Sequence, residues 1–167
     1  TYHSLNKMGI SELSSSSFGQ TFQVTPIQII TAVSAIANGG KLMQPYVVSS
    51  MLDGDGNVMK KTEPIVKRQV ISEKTASIVS NMMEQVVSVG TGKNAYVAGY
   101  HVAGKTGTSE KIGHEGAYIA SFAGFAPADD PQIAILVAID EPTGAQGGGA
   151  VAAPIAGEIR EMVRTAW

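Results

Sequence analysis

No cysteine occurs among the 167 residues, which excludes disulfides and thiolate metal sites while leaving the compartment open. Charged residues are only 16%, against the usual quarter or so, and a disordered or heavily solvated chain is excluded with them. The formal net charge is −2 and no Lys/Arg cluster stands out, so no nucleic-acid partner is expected. No apolar stretch approaches the roughly 20 residues of a membrane span; the longest clean run, Ile133 to Ile139, is strand-sized. His3, His101 and His114 are not spaced as a metal pair. Structural or solvent-facing roles are expected for all three, with no metal and no cofactor.

Hydrophobic residues make up 44% of the chain, enough for a sizeable core in one domain or a large piece of one. The chain starts at Thr1, without Met and without a signal-like segment, and reads as part of a longer protein whose export signal or anchor lies outside it. Apart from the serine run Ser14 to Ser17, no low-complexity tract or repeat is visible.

TPIQIITAVSAIANGG predicts a helix capped by Thr25, with Pro26 at its first position and Asn38-Gly39-Gly40 at its end. Ile27, Ile30, Ala32, Val33, Ile36 and Ala37 give it a broad apolar surface, buried on most sides. YVVSSMLDGDGNVMKK reads as a hairpin around Asp53-Gly54-Asp55-Gly56. Asp53, Asp55 and Asn57 have the spacing of a calcium loop, but Val58 and Pro64 stand where that loop needs Gly and Glu. A plain turn is expected.

A second helix is predicted from about Ser72 to Val89, with Ile78, Met82 and Val86 recurring at spacing four and the Met82-Met83 pair filling core. From Tyr96 onward, YVAGYHVA, KTGTSEKI, YIASFAGFA and QIAILVAID read as strands separated by short turns, GHEG and PADDP among them, which favours an antiparallel meander. Asp129-Asp130, between Pro127 and Pro131, reads as a turn rather than a catalytic pair. QIAILVAID is apolar almost throughout and is expected to be central and covered on both faces. GAQGGG leads to a last helix from about Ala153 to Ala166, with Ile155, Ile159, Met162 and Val163 as its stripe and Pro154 in its first turn. Helix, hairpin, helix, three strands and helix make an α+β domain, an antiparallel sheet packed by helices.

One stretch, GYHVAGKTGTSEK, fits two unrelated motifs. Gly99 to Thr106 match the phosphate-binding G-x-x-x-x-G-K-T pattern, and Lys105-Thr106-Gly107 match K-T-G. A phosphate loop needs a helix that begins at Lys-Thr. Here Tyr100, His101 and Val102 are strand formers, and Gly107, Thr108, Ser109, Gly113 and Gly116 follow. No helix should start at Lys105, and the nucleotide reading is rejected on that ground. K-T-G requires instead a strand at the edge of a cleft, where glycine admits a substrate backbone and the next N–H faces the reacting carbonyl. On such a strand Thr106 and Thr108 share one face, two hydroxyls fit to bind a carboxylate beside the Lys105 charge. Glu110 should share their face and border the cleft or simply be solvated.

SFGQTFQVTPIQIITAVSAIANGG (17 to 40), VVSVGTG (86 to 92), VAGKTGTSEK (102 to 111) and SFAGFAP (121 to 127) occur in this order in the class B penicillin-binding proteins. From about Leu13 to its end the chain resembles these peptidoglycan D,D-transpeptidases of cell division, elongation and sporulation. The resemblance implies the penicillin-binding/β-lactamase-like fold, with K-T-G on the edge strand beside the cleft. It also implies a serine acyl-enzyme formed on D-Ala-D-Ala stem peptides or on β-lactam antibiotics. Lys105 would stabilise the charge network around the serine, and Thr106 and Thr108 would bind the substrate carboxylate. The Thr108 N–H would be one arm of the oxyanion hole, and Gly107 would permit close approach.

The family pattern also demands S-x-x-K and S-x-N on a helical lobe upstream. Ser4-Leu5-Asn6-Lys7 is the sole candidate for both, and one serine cannot fill two roles. The expectation is therefore that 1–167 is the C-terminal portion of a transpeptidase domain, without its nucleophile and inactive alone. Its partners would be stem peptides, β-lactams and the remainder of the domain, on the extracytoplasmic face of a membrane to which the parent is anchored. The alternative is a non-catalytic interaction or scaffold module derived from that fold.

Overall fold

The computed structural model describes residues 4–20 and 22–165; His3 lies outside them. Among the described residues four helices, α1 (Ile10–Ser17), α2 (Pro26–Ala37), α3 (Glu73–Ser88) and α4 (Gly148–Thr165), accompany seven strands. These are β1 (Lys41–Met43), β2 (Ser50–Leu52), β3 (Val58–Lys61), β4 (Val66–Gln69), β5 (Ala103–Lys111), β6 (His114–Ala126) and β7 (Ile133–Asp140). Short 3-10 turns occupy Leu5–Lys7 and Lys93–Ala95. The architecture is α+β, with the last three strands as the expected antiparallel meander β5-β6-β7.

The local signals for the starts of α2 and α3 hold. Thr25 Oγ1 accepts from the Gln28 N–H at 3.4 Å while Gln28 Oε1 accepts from the Thr25 N–H at 2.8 Å, a reciprocal cap ahead of Pro26. Ser72 Oγ accepts from the Thr75 N–H at 3.1 Å and starts α3. α1 is a helix that the serine run concealed: Glu12 reaches back to the Gly9 N–H at 3.0 Å, and the helix buries none of its residues.

Between α2 and α3 two antiparallel pairs are nested, β2–β3 inside β1–β4. The inner pair is the expected hairpin. Asp53 closes its turn, with Oδ1 accepting from the Asp55 and Asn57 N–H groups at 3.0 and 2.9 Å, which holds its carboxyl below the usual range, chiefly through Asn57. The outer pair carried no turn signal, since its strands lie more than twenty residues apart.

The main sheet is covered on both faces. On one, Phe122, Val102 and Ala126 pack with Val87, Ala95 and with Ala152, Ala153 and Ala156 of α4. On the other, Ala103 and Phe125 meet Met83 of α3, with Val33, Ile36 and Ala37 of α2 alongside. Small residues of α4 let it sit close to the Phe122 ring, which has no exposed surface.

Six expectations need correction. The segment from Tyr96 to Val102 is not a strand: Gly99 adopts φ +77°, the Tyr100 N–H turns back to the Val97 carbonyl at 3.1 Å, and the ladder starts at Ala103. The β5–β6 turn falls at Ile112-Gly113 and shares only Gly113 with the expected GHEG, because Gly113 supplies the positive φ of +79° and His114 already pairs in β6. β7 is covered on two faces by α2 and α4, yet β6 is the central strand and β7 an edge of the three-stranded sheet. Chain order in a meander sets that position, not hydrophobicity.

α3 buries Ala76, Ser80, Met83 and Val87, while Ile78 and Met82 are exposed. Small side chains at Ala76 and Ser80 bring this helix close to β5, and Ser80 donates to the Ala128 carbonyl at 3.0 Å, so the buried face runs through these positions and Met83 and Val87 rather than through Ile78 and Met82. α4 begins five residues before Ala153, with Pro154 inside it, and Gly148 and Gly149 are its first turn. α2 is also less enclosed than expected: of its residues only Ala35 is fully buried, and Ile27 is 54% exposed.

Candidate functional site

Lys105, Thr106, Gly107 and Thr108 all lie on β5, which pairs only with β6 among the described strands. No helix begins at Lys105, in keeping with rejection of the phosphate-loop pattern. Strand alternation puts Thr106 and Thr108 on the α4 side of the sheet, with Phe122 opposite Thr106, and puts Lys105 and Gly107 on the α2–α3 side, with Ser121 opposite Gly107.

Lys105 is exposed, and its Nζ donates to the Thr106 carbonyl of its own strand at 2.7 Å. The ion pairs among the described residues leave it out. A side chain on Gly107 would meet the Ser121 hydroxyl at 2.5 Å; the room left by this glycine is partly taken by a neighbouring strand.

Each threonine is held by a residue the sequence reading did not single out. Thr108 Oγ1 accepts from the Gly148 N–H, the first residue of α4, at 3.1 Å. Thr106 Oγ1 lies 3.1 Å from Thr91 Oγ1, in the loop after α3. Gly148 packs against the Gly107 and Ser121 carbonyl oxygens, and Gly149 lies against the Thr91 carbonyl. Asn94 Nδ2 donates to the Gly149 carbonyl at 2.8 Å and joins the loop to the helix start. The signal for these residues was their glycine context, GTG and GGG, which marks close backbone approach without naming the partner.

Of the remaining polar candidates, Glu110 and His101 have structural partners. Glu110 Oε1 accepts from the Gly116 N–H at 2.8 Å, within the hairpin. His101 Nδ1 lies 2.6 Å from Glu84 Oε1, and this hydrogen bond, then the Glu84 charge, raises the imidazole above its ordinary pKa. His114 is exposed at the start of β6, and Asp129 and Asp130 are exposed in the bend after it. Ser4 is exposed, and its carbonyl accepts from the Lys7 N–H at 2.8 Å. Among the described residues no helix is long and apolar enough to cross a membrane.

The family model described as the penicillin binding protein transpeptidase domain matches residues 3–161. Stage V sporulation protein D of Bacillus subtilis is 48% identical over 161 residues, covering 93% of this chain and 25% of that protein. The peptidoglycan D,D-transpeptidase FtsI of Escherichia coli is 36% identical over 149 residues, 86% of this chain and 24% of that one. The imipenem acyl-enzyme complex of penicillin-binding protein A from Mycobacterium tuberculosis superposes with a TM-score of 0.79 at 30% identity, covering 92% of this chain and 34% of that one. The chain thus spans about a quarter of the length of these curated relatives.

Proposed function

The chain belongs to the penicillin-binding protein transpeptidase domain family, and on that premise we propose that it forms the K-T-G wall of a serine D,D-transpeptidase site. The observation that carries this reading is the placement of K-T-G-T on a strand that, among the described residues, is paired on one side only, with both threonine hydroxyls on one face and the lysine on the other.

In the reaction, a serine hydroxyl attacks the carbonyl of a D-Ala-D-Ala stem peptide. The ester C–O bond forms, the C–N bond breaks, and D-Ala leaves as the protonated amine. An amine of a second stem peptide then displaces the serine and closes the cross-link. Thr106 and Thr108 donate to the substrate carboxylate, with Lys105 supplying positive charge beside it. The Thr108 N–H serves as one oxyanion donor; such donors are worth about 2.7–4 kcal/mol each. β-Lactams enter the same site as mimics of the donor peptide and stay attached to the serine.

The nucleophile belongs to the S-x-x-K motif of an upstream lobe, and this chain is the C-terminal portion of the domain. The assembled enzyme works on the extracytoplasmic face of the membrane, where peptidoglycan is cross-linked. The test is the intact mass after incubation with benzylpenicillin. A polypeptide joining this chain to the upstream lobe should gain one penicilloyl group, lost or strongly slowed by Lys105→Ala, whereas this chain alone should gain none. An adduct on this chain alone, mapped to Ser4, would overturn the placement of the nucleophile.

A further inference from the structure

Thr91 lies on the surface, outside every strand and helix, and 15 residues before its partner Thr106. Its loop is nonetheless braced. The Gly92 N–H donates to the Val86 carbonyl at 2.9 Å and the Ala95 N–H to the Gly92 carbonyl at 2.8 Å. Asn94 then ties the loop to Gly149, whose missing side chain would collide with the Thr91 carbonyl oxygen at 2.5 Å. The collar that brings the Gly148 N–H to Thr108 therefore also fixes where the Thr91 hydroxyl sits.

We infer that Thr91 is a positioning residue: its hydroxyl donates to Thr106 Oγ1 and so turns the single Thr106 proton toward the carboxylate of the bound substrate. The inference rests on the reading above, that Thr106 and Thr108 bind that carboxylate. A hydroxyl has one proton to give, and an ionised carboxylate can only accept. Both threonines must then act as donors when substrate is bound. Thr108 is already arranged for this, because its oxygen accepts from Gly148. Thr106 can spend its proton on the ligand only when Thr91 is the donor within their pair. Without the Thr91 hydroxyl, Thr106 keeps its side chain but loses the group that holds its rotor.

The experiment uses the polypeptide carrying both this chain and the serine lobe. Acylation rates are compared for benzylpenicillin and for its methyl ester, which has the same reactive ring but no anionic carboxylate. Thr91→Val should slow benzylpenicillin roughly two- to tenfold, the range expected for one hydrogen bond, and leave the ester rate unchanged. Thr91→Ser should restore the wild-type ratio. Thr91→Ala, which has no branched side chain to refit, must reproduce the valine result. Parallel slowing of both compounds would mean a purely structural role and overturn the inference, as would no change in either rate. Thr106→Val and Thr108→Val separate the two levels of the argument. If they leave the acid-to-ester ratio intact, the carboxylate reading itself fails. If they collapse it and the Thr91 variants do not, only the role of Thr91 is lost.

Discussion

The Gly148 amide donates to Thr108 Oγ1 at 3.1 Å across 40 residues of chain, so the first residue of α4 and the last residue of K-T-G-T are a single unit. A side chain at Gly148 would run into the Gly107 and Ser121 carbonyl oxygens, which belong to paired strands and cannot swing aside. Gly148→Ala is expected to cost about 1–3 kcal/mol in denaturant unfolding and, in the polypeptide that also carries the serine lobe, to slow acylation by benzylpenicillin. Gly107→Ala meets only the Ser121 hydroxyl, which can rotate, and should cost less than Gly148→Ala. The reverse order of stabilities would contradict the packing described.

Phe122 has no exposed surface, and its ring fills the space against Gly104, on the face shared with α4. Phe122→Ala should destabilise the fold by about 3–5 kcal/mol, read from the shift of the unfolding midpoint. A loss below about 1 kcal/mol would show that the sheet does not depend on this ring.

Glu84 raises the pKa of His101, so their contact contributes most when His101 is protonated. The folded value lies above the unfolded one of about 6.5; the contribution is complete below the unfolded value and is lost as pH rises through the folded one. Both groups are open to solvent, so the effect on stability should be small. NMR titration should place the His101 midpoint above the ordinary value, and Glu84→Gln should bring it back down. A wild-type midpoint below that value would remove the pairing from solution.

Lys111 Nζ sits 3.0 Å from Asp140 and 2.6 Å from Glu141, bridging the end of β5 to the end of β7 across β6. Glu141, the larger influence, and Asp140 both raise the lysine pKa. Lys111→Met should speed amide exchange at Ile112 and Gly113 while leaving exchange at Phe122 and Phe125 unchanged, and added salt should produce part of the same effect in the wild type. Unchanged exchange at the turn would rule out a role for the bridge in holding the strand ends.

The legible parts of the fold are those encoded by near neighbours in sequence. Thr25 with Gln28 and Ser72 with Thr75 close their caps three residues away, and Asp53 closes its own turn. The meander was readable because its connections are short. α1 was hidden because serine is a weak helix former, and the cap that starts the helix comes from Glu12 reaching back to Gly9. Tyr96 to Val102 misled because β-forming side chains do not make a ladder without a partner, and Gly99 breaks the line.

At the candidate site, alternation along β5 places Thr106 and Thr108 together from sequence alone, since side-chain direction in a strand has a period of two. Thr91 and Gly148 could not be paired with them that way. Their contacts span 15 and 40 residues and exist only because α3, β5 and α4 pack together. The same holds for the small-residue face that α3 buries and for the edge position of β7. Sequence determined the starts of α2 and α3, the strand alternation and the family. Packing alone decided which faces meet and which groups stand behind the threonines, because burial depends on what the rest of the chain leaves uncovered.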